Sequence, residues 1–219
     1  LDPWVLILRT LGVFFGGIIV REMQLWFENV RLREESSRDP LTGFYNRRFL
    51  TLKLQSEFKR ALARRGIFKI PEEISIVMID LDNFKLVNDS FGHAEGDRVL
   101  KTMAEAIHGS VRKSEIICRY GGDEFCVILL GATIQDAAKF GEKIRSLIAN
   151  HPDLSYRTKD GISTIRVTTS IGVASISGVK ATEPGKLMKA ADRALYRAKA
   201  GGRNQVCVYD PKRDVIEAD

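Results

Sequence analysis

At 219 residues and 44% hydrophobic content, the chain can bury one substantial core, and its length suits one domain with an appendage. The formal net charge of +6 would suit an anionic partner, but the basic residues are interleaved with acids and form no concentrated stripe. That argues against nucleic-acid binding, and nucleotide phosphates account for the charge as well. Cys118, Cys126 and Cys207 have no paired metal-ligand spacing, and Cys118 and Cys126 fall in the predicted hairpin strands, so reduced core thiols are expected in place of disulfides.

Residues 4–20 are apolar apart from Arg9 and Thr10, and include Gly12, Gly16 and Gly17, which membrane helices tolerate. As a span the run is slightly short and carries a charge, and no basic region precedes it as in a signal peptide. It reads equally as the end of a membrane or sensor segment and as a soluble signalling helix. The chain opens on Leu1, not Met, so a cut from something longer is expected. Residues 21–37 are richer in charge, with Leu25, Trp26, Val30 and Leu32 at near-helical spacing, the pattern of a dimerising connector.

Thr42 or Asn46 is placed to cap a helix through Leu50, Leu54, Phe58 and Leu62, a core-facing stripe with a basic opposite side. Residues 74–79 are an apolar, β-rich run of the kind a covered central strand needs, ending in Asp80-Leu81-Asp82-Asn83-Phe84-Lys85. Asn88-Asp89-Ser90 reads as a turn or cap, and residues 96–107 as a helix with Val99, Leu100, Met103 and Ile107 inward. Residues 116–118 and 125–130 flank Arg119-Tyr120-Gly121-Gly122-Asp123-Glu124, a hairpin with acids at its tip. Its paired glycines are expected to supply positive φ and to leave room for a ligand. Residues 134–148 form an amphipathic helix and residues 162–175 hold two alternating stretches. A helix over 183–200 buries Leu187, Ala191, Ala194 and Leu195, and residues 205–209 close the sheet. This order implies helices packed on a largely antiparallel sheet, the α/β (α+β) class.

Adjacent acids at a turn repel unless solvated or holding a cation, and strand ends are where α/β folds gather ligands. Mg²⁺ commonly takes one or two carboxylates plus phosphate oxygens, so Asp80 and Asp123 are expected to share a metal. The plain alternative is a polar surface turn.

The run Asp80 to Asp89, then Phe91-Gly92-His93, Gly96-Asp97 and the glycine hairpin, together resemble the GGDEF-domain diguanylate cyclases. Asp39-Pro40-Leu41-Thr42-Gly43 with Asn46-Arg47-Arg48, and Ala191-Asp192 through Tyr196 to Lys199 and Gly202-Arg203-Asn204, extend the resemblance over residues 38–210 in the family's order. It implies a palm-like, ferredoxin-related mixed sheet flanked by helices, with a GGDEF catalytic domain over 38–219. Residues 1–37 would be an N-terminal signalling or membrane-proximal helix and its connector. The implied activity condenses two GTP to cyclic di-GMP and two pyrophosphates, in a homodimer holding one GTP per subunit. A catalytically silent GTP or cyclic di-GMP binding module is the alternative, but such members usually lose acids or cations that are present here. The resemblance also implies a cytoplasmic catalytic domain, with inner-membrane or sensor attachment through the N-terminal segment as one arrangement, and no nucleic-acid partner.

Carried over residue by residue, Asp80 and Asp123 would bind Mg²⁺ (or Mn²⁺) with the Leu81 carbonyl. Glu124 would assist a second metal or accept the 3′-hydroxyl proton, making Asp123 and Glu124 the catalytic acids. Asp82 fits a structural hydrogen bond as well as a site role. Asn88 and Asp97 match the guanine readers; a carboxylate accepts from guanine N1–H and the 2-amino group, which adenine cannot reproduce. Both could otherwise serve helix ends. Lys85, Lys199 and Arg203, with backbone N–H groups near Asn83 and Phe84, would take the phosphates. Lys199 also suits a helix C-terminus, and Gly201-Gly202 a helix stop. His93 is expected to be packed or solvent-facing. Arg112-Lys113-Ser114-Glu115 departs from the family's inhibitory product site, which ends in Asp. The longer Glu115 moves the charge one methylene outward, so feedback inhibition is expected to be weak or absent.

Overall fold

The computed structural model describes residues 21–24, 37–68, 73–112, 114–157 and 164–214. The chain divides into two compact units, Leu1–Arg38 and Asp39–Asp219. In the first, residues 21–24 are helical; the expectations for residues 4–20 and for Leu25, Trp26, Val30 and Leu32 lie outside the described residues. Among the described residues no helix is long and apolar enough to cross a membrane.

The second unit is organised around β2 (Ile74–Asp82), which is buried at every position, Ser75, Asp80 and Asp82 included, as its mostly apolar run leads one to expect of a central strand. β4 (Glu124–Leu130) and β7 (Thr168–Ser175) pair with β2 on either side, both antiparallel. β3 (Ile116–Arg119) continues antiparallel from β4, and the short edges β1 (Tyr45–Asn46) and β8 (Val206–Val208) join in parallel, giving the order β1-β3-β4-β2-β7-β8. β5 (Ser155–Arg157) and β6 (Thr164–Arg166) form a separate antiparallel ribbon; β6 and β7 answer to the two alternating stretches of residues 162–175, whereas β5 has no such signal.

Helices cover both faces. Val77, Ile79 and Leu81 of β2 pack with α3 (His93–His108) and α4 (Ile134–Ala149). Ile74, Ile76 and Met78 pack with α1 (Arg47–Phe68) and α6 (Pro184–Ala200). Because side chains alternate along a strand, Asp80 and Asp82 continue the second face, and Glu124 of β4 and Thr168 and Ser170 of β7 share it. Gly172 brings α6 flush against this face: a Cβ there would lie 2.1 Å from the Ala191 carbonyl and 2.2 Å from Leu195 N. The C-terminal end of α6 is thereby carried over the acids.

Asn46 caps α1, its Oδ1 accepting from Phe49 N at 3.0 Å. Leu50, Leu54 and Phe58 are buried, but the fourth inward position is Ala61, while Leu62 is 41% exposed. Eleven residues make three full turns, whereas twelve rotate Leu62 out of the stripe. Asn88-Asp89-Ser90 is not a turn; it lies inside α2 (Phe84–Phe91). Gly92, at φ 88°, separates α2 from α3, which begins at His93 and not near Gly96, so Asp97 sits beyond the first turn. The four-residue α5 (Ile176–Val179) leads toward α6.

Candidate metal and nucleotide site

Asp80 stands at the C-terminal end of β2, directly opposite Glu124 in the β2–β4 register. It is 7% exposed, and Lys199 Nζ lies 2.6 Å from its Oδ2. Burial pushes the Asp80 carboxyl up to about 6; Lys199 opposes this, while the charges of Asp123 and Glu124 add to it. The acids of two strands therefore share one electrostatic neighbourhood.

The hairpin is fastened at several points. Leu81 N donates to the Asp123 carbonyl at 3.3 Å, and Tyr120 N and Gly121 N donate to the Glu124 carbonyl at 2.7 and 3.2 Å. Contrary to expectation, Gly121 and Gly122 are not among the glycines with positive φ. The Glu124 carboxylate folds over the turn: a Cβ at Gly121 would stand 2.5 Å from its Oε2, the movable end of a half-buried side chain.

Sequence reasoning missed Arg119 as a site residue. Its Nη1 donates to both carboxylate oxygens of Asp39 at 3.0 and 3.2 Å, and its Nε and Nη2 donate to the Gly122 carbonyl at 3.2 and 2.8 Å. Thr42 N and Oγ1 also donate to Asp39, at 2.9 and 2.7 Å. Burial raises the Asp39 carboxyl, but the Thr42 and Arg119 contacts outweigh it and hold the group below its ordinary range. One guanidinium thus ties the Asp39–Gly43 turn to the acid-bearing hairpin.

Asp82 is 2% exposed and fully engaged. Its Oδ2 accepts from Thr168 Oγ1 at 2.7 Å and Asn204 N at 3.0 Å, and its Oδ1 from Ser170 Oγ at 2.7 Å. Of its two readings, the structural hydrogen bond is what the geometry displays.

Asn83, at φ 64°, turns the chain from β2 directly into α2, and its side chain does not cap the helix but donates to the Arg166 carbonyl at 3.1 Å. The first turn, with Phe84 and Lys85, therefore starts beside Asp80 and Asp82 without a side-chain cap, a setting suited to an anion. Lys85 is exposed and Phe84 packs on the core. Half-buried Asn88 rests on α3: a Cβ at Gly96 would lie 1.9 Å from its Oδ1, one residue before exposed Asp97. Arg203 is 60% exposed and sits just after α6, with Nε 4.0 Å from Asp82 Oδ1. His93 is exposed.

An open cleft of about 480 Å³ runs between Leu41, Thr42 and Phe44 and the α3 residues Lys101, Ala104, Glu105 and His108. It begins one turn beyond Asp97 and none of the acids lines it. Arg112 and Glu115 form a local turn in which Arg112 N donates to Glu115 Oε2 at 2.6 Å. Cys118 and Cys126 face each other across β3 and β4 as free buried thiols, and burial raises both, Cys118 to about 12. Among the described residues, no group of three or more His, Cys, Asp or Glu side chains is placed to hold a metal ion.

A mixed sheet flanked by helices, with carboxylates from two adjacent strands beneath a helix-borne lysine, has the layout of a palm-like α+β domain. Residues 36–205 match the family described as diguanylate cyclase, GGDEF domain, and the chain belongs to that family. It is 40% identical over 168 residues to response regulator PleD of Caulobacter vibrioides, covering 77% of this chain and 35% of that protein. It is 37% identical over 188 residues to diguanylate cyclase DosC of Escherichia coli K12, covering 86% of this chain and 37% of that one. The chain thus spans little more than a third of these relatives. Among solved structures, the coiled coil and GGDEF domain of DgcB from Caulobacter crescentus, in complex with c-di-GMP, superposes with TM-score 0.72 at 26% identity, covering 91% of this chain and 99% of that one. The active GGEEF domain of a diguanylate cyclase from Vibrio cholerae gives TM-score 0.61 at 33% identity, covering 75% and 97%.

Proposed function

We propose that this chain condenses two GTP into cyclic di-GMP with release of two pyrophosphates, one GTP being held by each subunit of a homodimer. The observation that carries this reading is the grouping of Asp80, Asp123 and Glu124 at neighbouring strand ends with Lys199 against Asp80. All available donors are oxygens, and the charges of Asp123 and Glu124 bear on buried Asp80 against the one cation Lys199, which fits a hard divalent cation. Asp80, Asp123, the Leu81 carbonyl and Glu124 would hold Mg²⁺ or Mn²⁺, whose chemistry is to withdraw charge from the α-phosphate and to acidify the attacking 3′-hydroxyl. Phosphate oxygens of the bound nucleotide would supply the remaining ligands.

The chain's own groups then divide the work. Lys199, Arg203, Lys85 and the N–H groups opening α2 neutralise the triphosphate and the departing pyrophosphate, Lys199 exchanging its Asp80 contact for phosphate oxygen. Asn88 and Asp97 read guanine. Glu124 receives the 3′-hydroxyl proton. Since each nucleotide attacks the other, aligning two half-sites supplies most of the rate, and residues 1–37 would set that alignment. The catalytic unit would face the cytoplasm, with a sensor or membrane attachment at the N-terminal end. Incubation with GTP and Mg²⁺ over a range of protein concentrations tests this: specific activity should rise with concentration as dimers form, with cyclic di-GMP as product. GTP left intact at every concentration would refute it.

A further inference from the structure

Between the two cations assigned to phosphate, Lys199 and Arg203, the chain passes through an unusual backbone. Gly202, Arg203 and Asn204 have φ of 110°, 63° and 43°, three successive left-handed residues of which two are not glycine. L-residues resist that region, so the loop keeps this shape only where its surroundings impose it. Asn204 is held from two sides: its N–H donates to Asp82 Oδ2 at 3.0 Å, and its Oδ1 accepts from Arg145 Nη1 at 2.9 Å. Arg203 N, in turn, donates to the Ala198 carbonyl at 3.0 Å.

Asp82 is the link from this loop to the sheet. Its carboxylate is oriented by Thr168 Oγ1 and Ser170 Oγ, both at 2.7 Å on β7, and it stands two residues beyond Asp80 on the same face of the same strand. A single rigid strand thus carries the acid assigned to the metal and anchors the loop that carries a phosphate cation. Charge-assisted bonds to a backbone N–H are stronger than neutral ones and directional, so they fix loop geometry well.

We infer that Asp82 is a positioning residue for triphosphate recognition: by fastening Asn204 it sets the left-handed 202–204 loop and hence the distance of Arg203 from the Asp80 cluster. This rests on the nucleotide reading above. Asp82 acts through the loop backbone and also on Arg203 directly, whose Nε lies 4.0 Å from its Oδ1.

The test measures GTP and GMP affinities by calorimetry in the full chain and in Asp82→Asn. Thr168→Val, which removes one of the donors that orient the carboxylate, is a second variant in case Asp82→Asn does not fold. The expected result is about a tenfold loss of GTP affinity in Asp82→Asn and about threefold in Thr168→Val, with GMP affinity within about twofold of wild type, because triphosphate contacts are lost and guanine contacts are kept. Hydrogen exchange at the Asn204 amide should accelerate in parallel. Equal losses for GTP and GMP would reduce Asp82 to a general structural role and overturn the inference, as would unchanged GTP affinity with a faster Asn204 amide. A wild-type chain that binds no GTP would sink the nucleotide reading itself, and this inference with it.

Discussion

Replacing Asp80 by Asn should make the protein more stable while removing its activity. Asp80 has its carboxyl raised from the ordinary 3.8 to about 6, first by burial and then by the charges of Asp123 and Glu124, with Lys199 only partly compensating. Between those two pH values the folded state holds a proton that the unfolded chain has released. Stability therefore falls as pH rises through that window, and the penalty is complete above about pH 6. A shift of roughly two units at 1.36 kcal/mol each amounts to about 3 kcal/mol. Asparagine keeps the shape without the charge. Lys199, 37% exposed, can turn to water, so its lost partner offsets little. In metal-free buffer with chelator, the variant should melt roughly 6–12 °C above wild type at pH 7.5, given the 2–4 °C per kcal/mol usual at this size. The gap should close as pH falls to about 4. Thermal melts at half-unit pH steps check this. A variant less stable than wild type at pH 7.5, or a gap independent of pH, would refute the electrostatic account of the acid cluster.

Two further outcomes follow from the same geometry. Arg119→Ala cuts a largely buried ion pair to Asp39 and two bonds to the Gly122 carbonyl, so it should cost about 1–3 kcal/mol in urea denaturation. It should also lower kcat by loosening the hairpin acids, and unchanged kcat would remove Arg119 from the site's support. At Arg112-Lys113-Ser114-Glu115, cyclic di-GMP should inhibit weakly or not at all. Strong noncompetitive inhibition that disappears in Arg112→Ala would show that the longer Glu115 is tolerated.

Local patterns made the sheet and the acids legible. The apolar run ending at Asp80 read as a covered strand, and alternation along it puts Asp80 on the face over which α6 delivers Lys199. Small angular errors accumulate where only periodicity guides the reading, which is why Leu62 was expected where Ala61 is buried. Long-range partners left no local trace: Arg119 finds Asp39 80 residues away, and Asp82 finds Asn204 122 residues away. The paired glycines of the hairpin predict positive φ, yet neither Gly121 nor Gly122 adopts it, and the Glu124 carboxylate lies close over Gly121, a side-chain placement no spacing rule contains.

The most direct test of the central claim, that acids from two strands serve one divalent ion in GTP condensation, is cyclic di-GMP formation from GTP and Mg²⁺ by wild type and Asp123→Ala, each checked for folding by its melt. Wild type should form product in a Mg²⁺-dependent way, and the variant should fold normally and form none. A folded Asp123→Ala protein that turns over GTP at the wild-type rate would contradict the account.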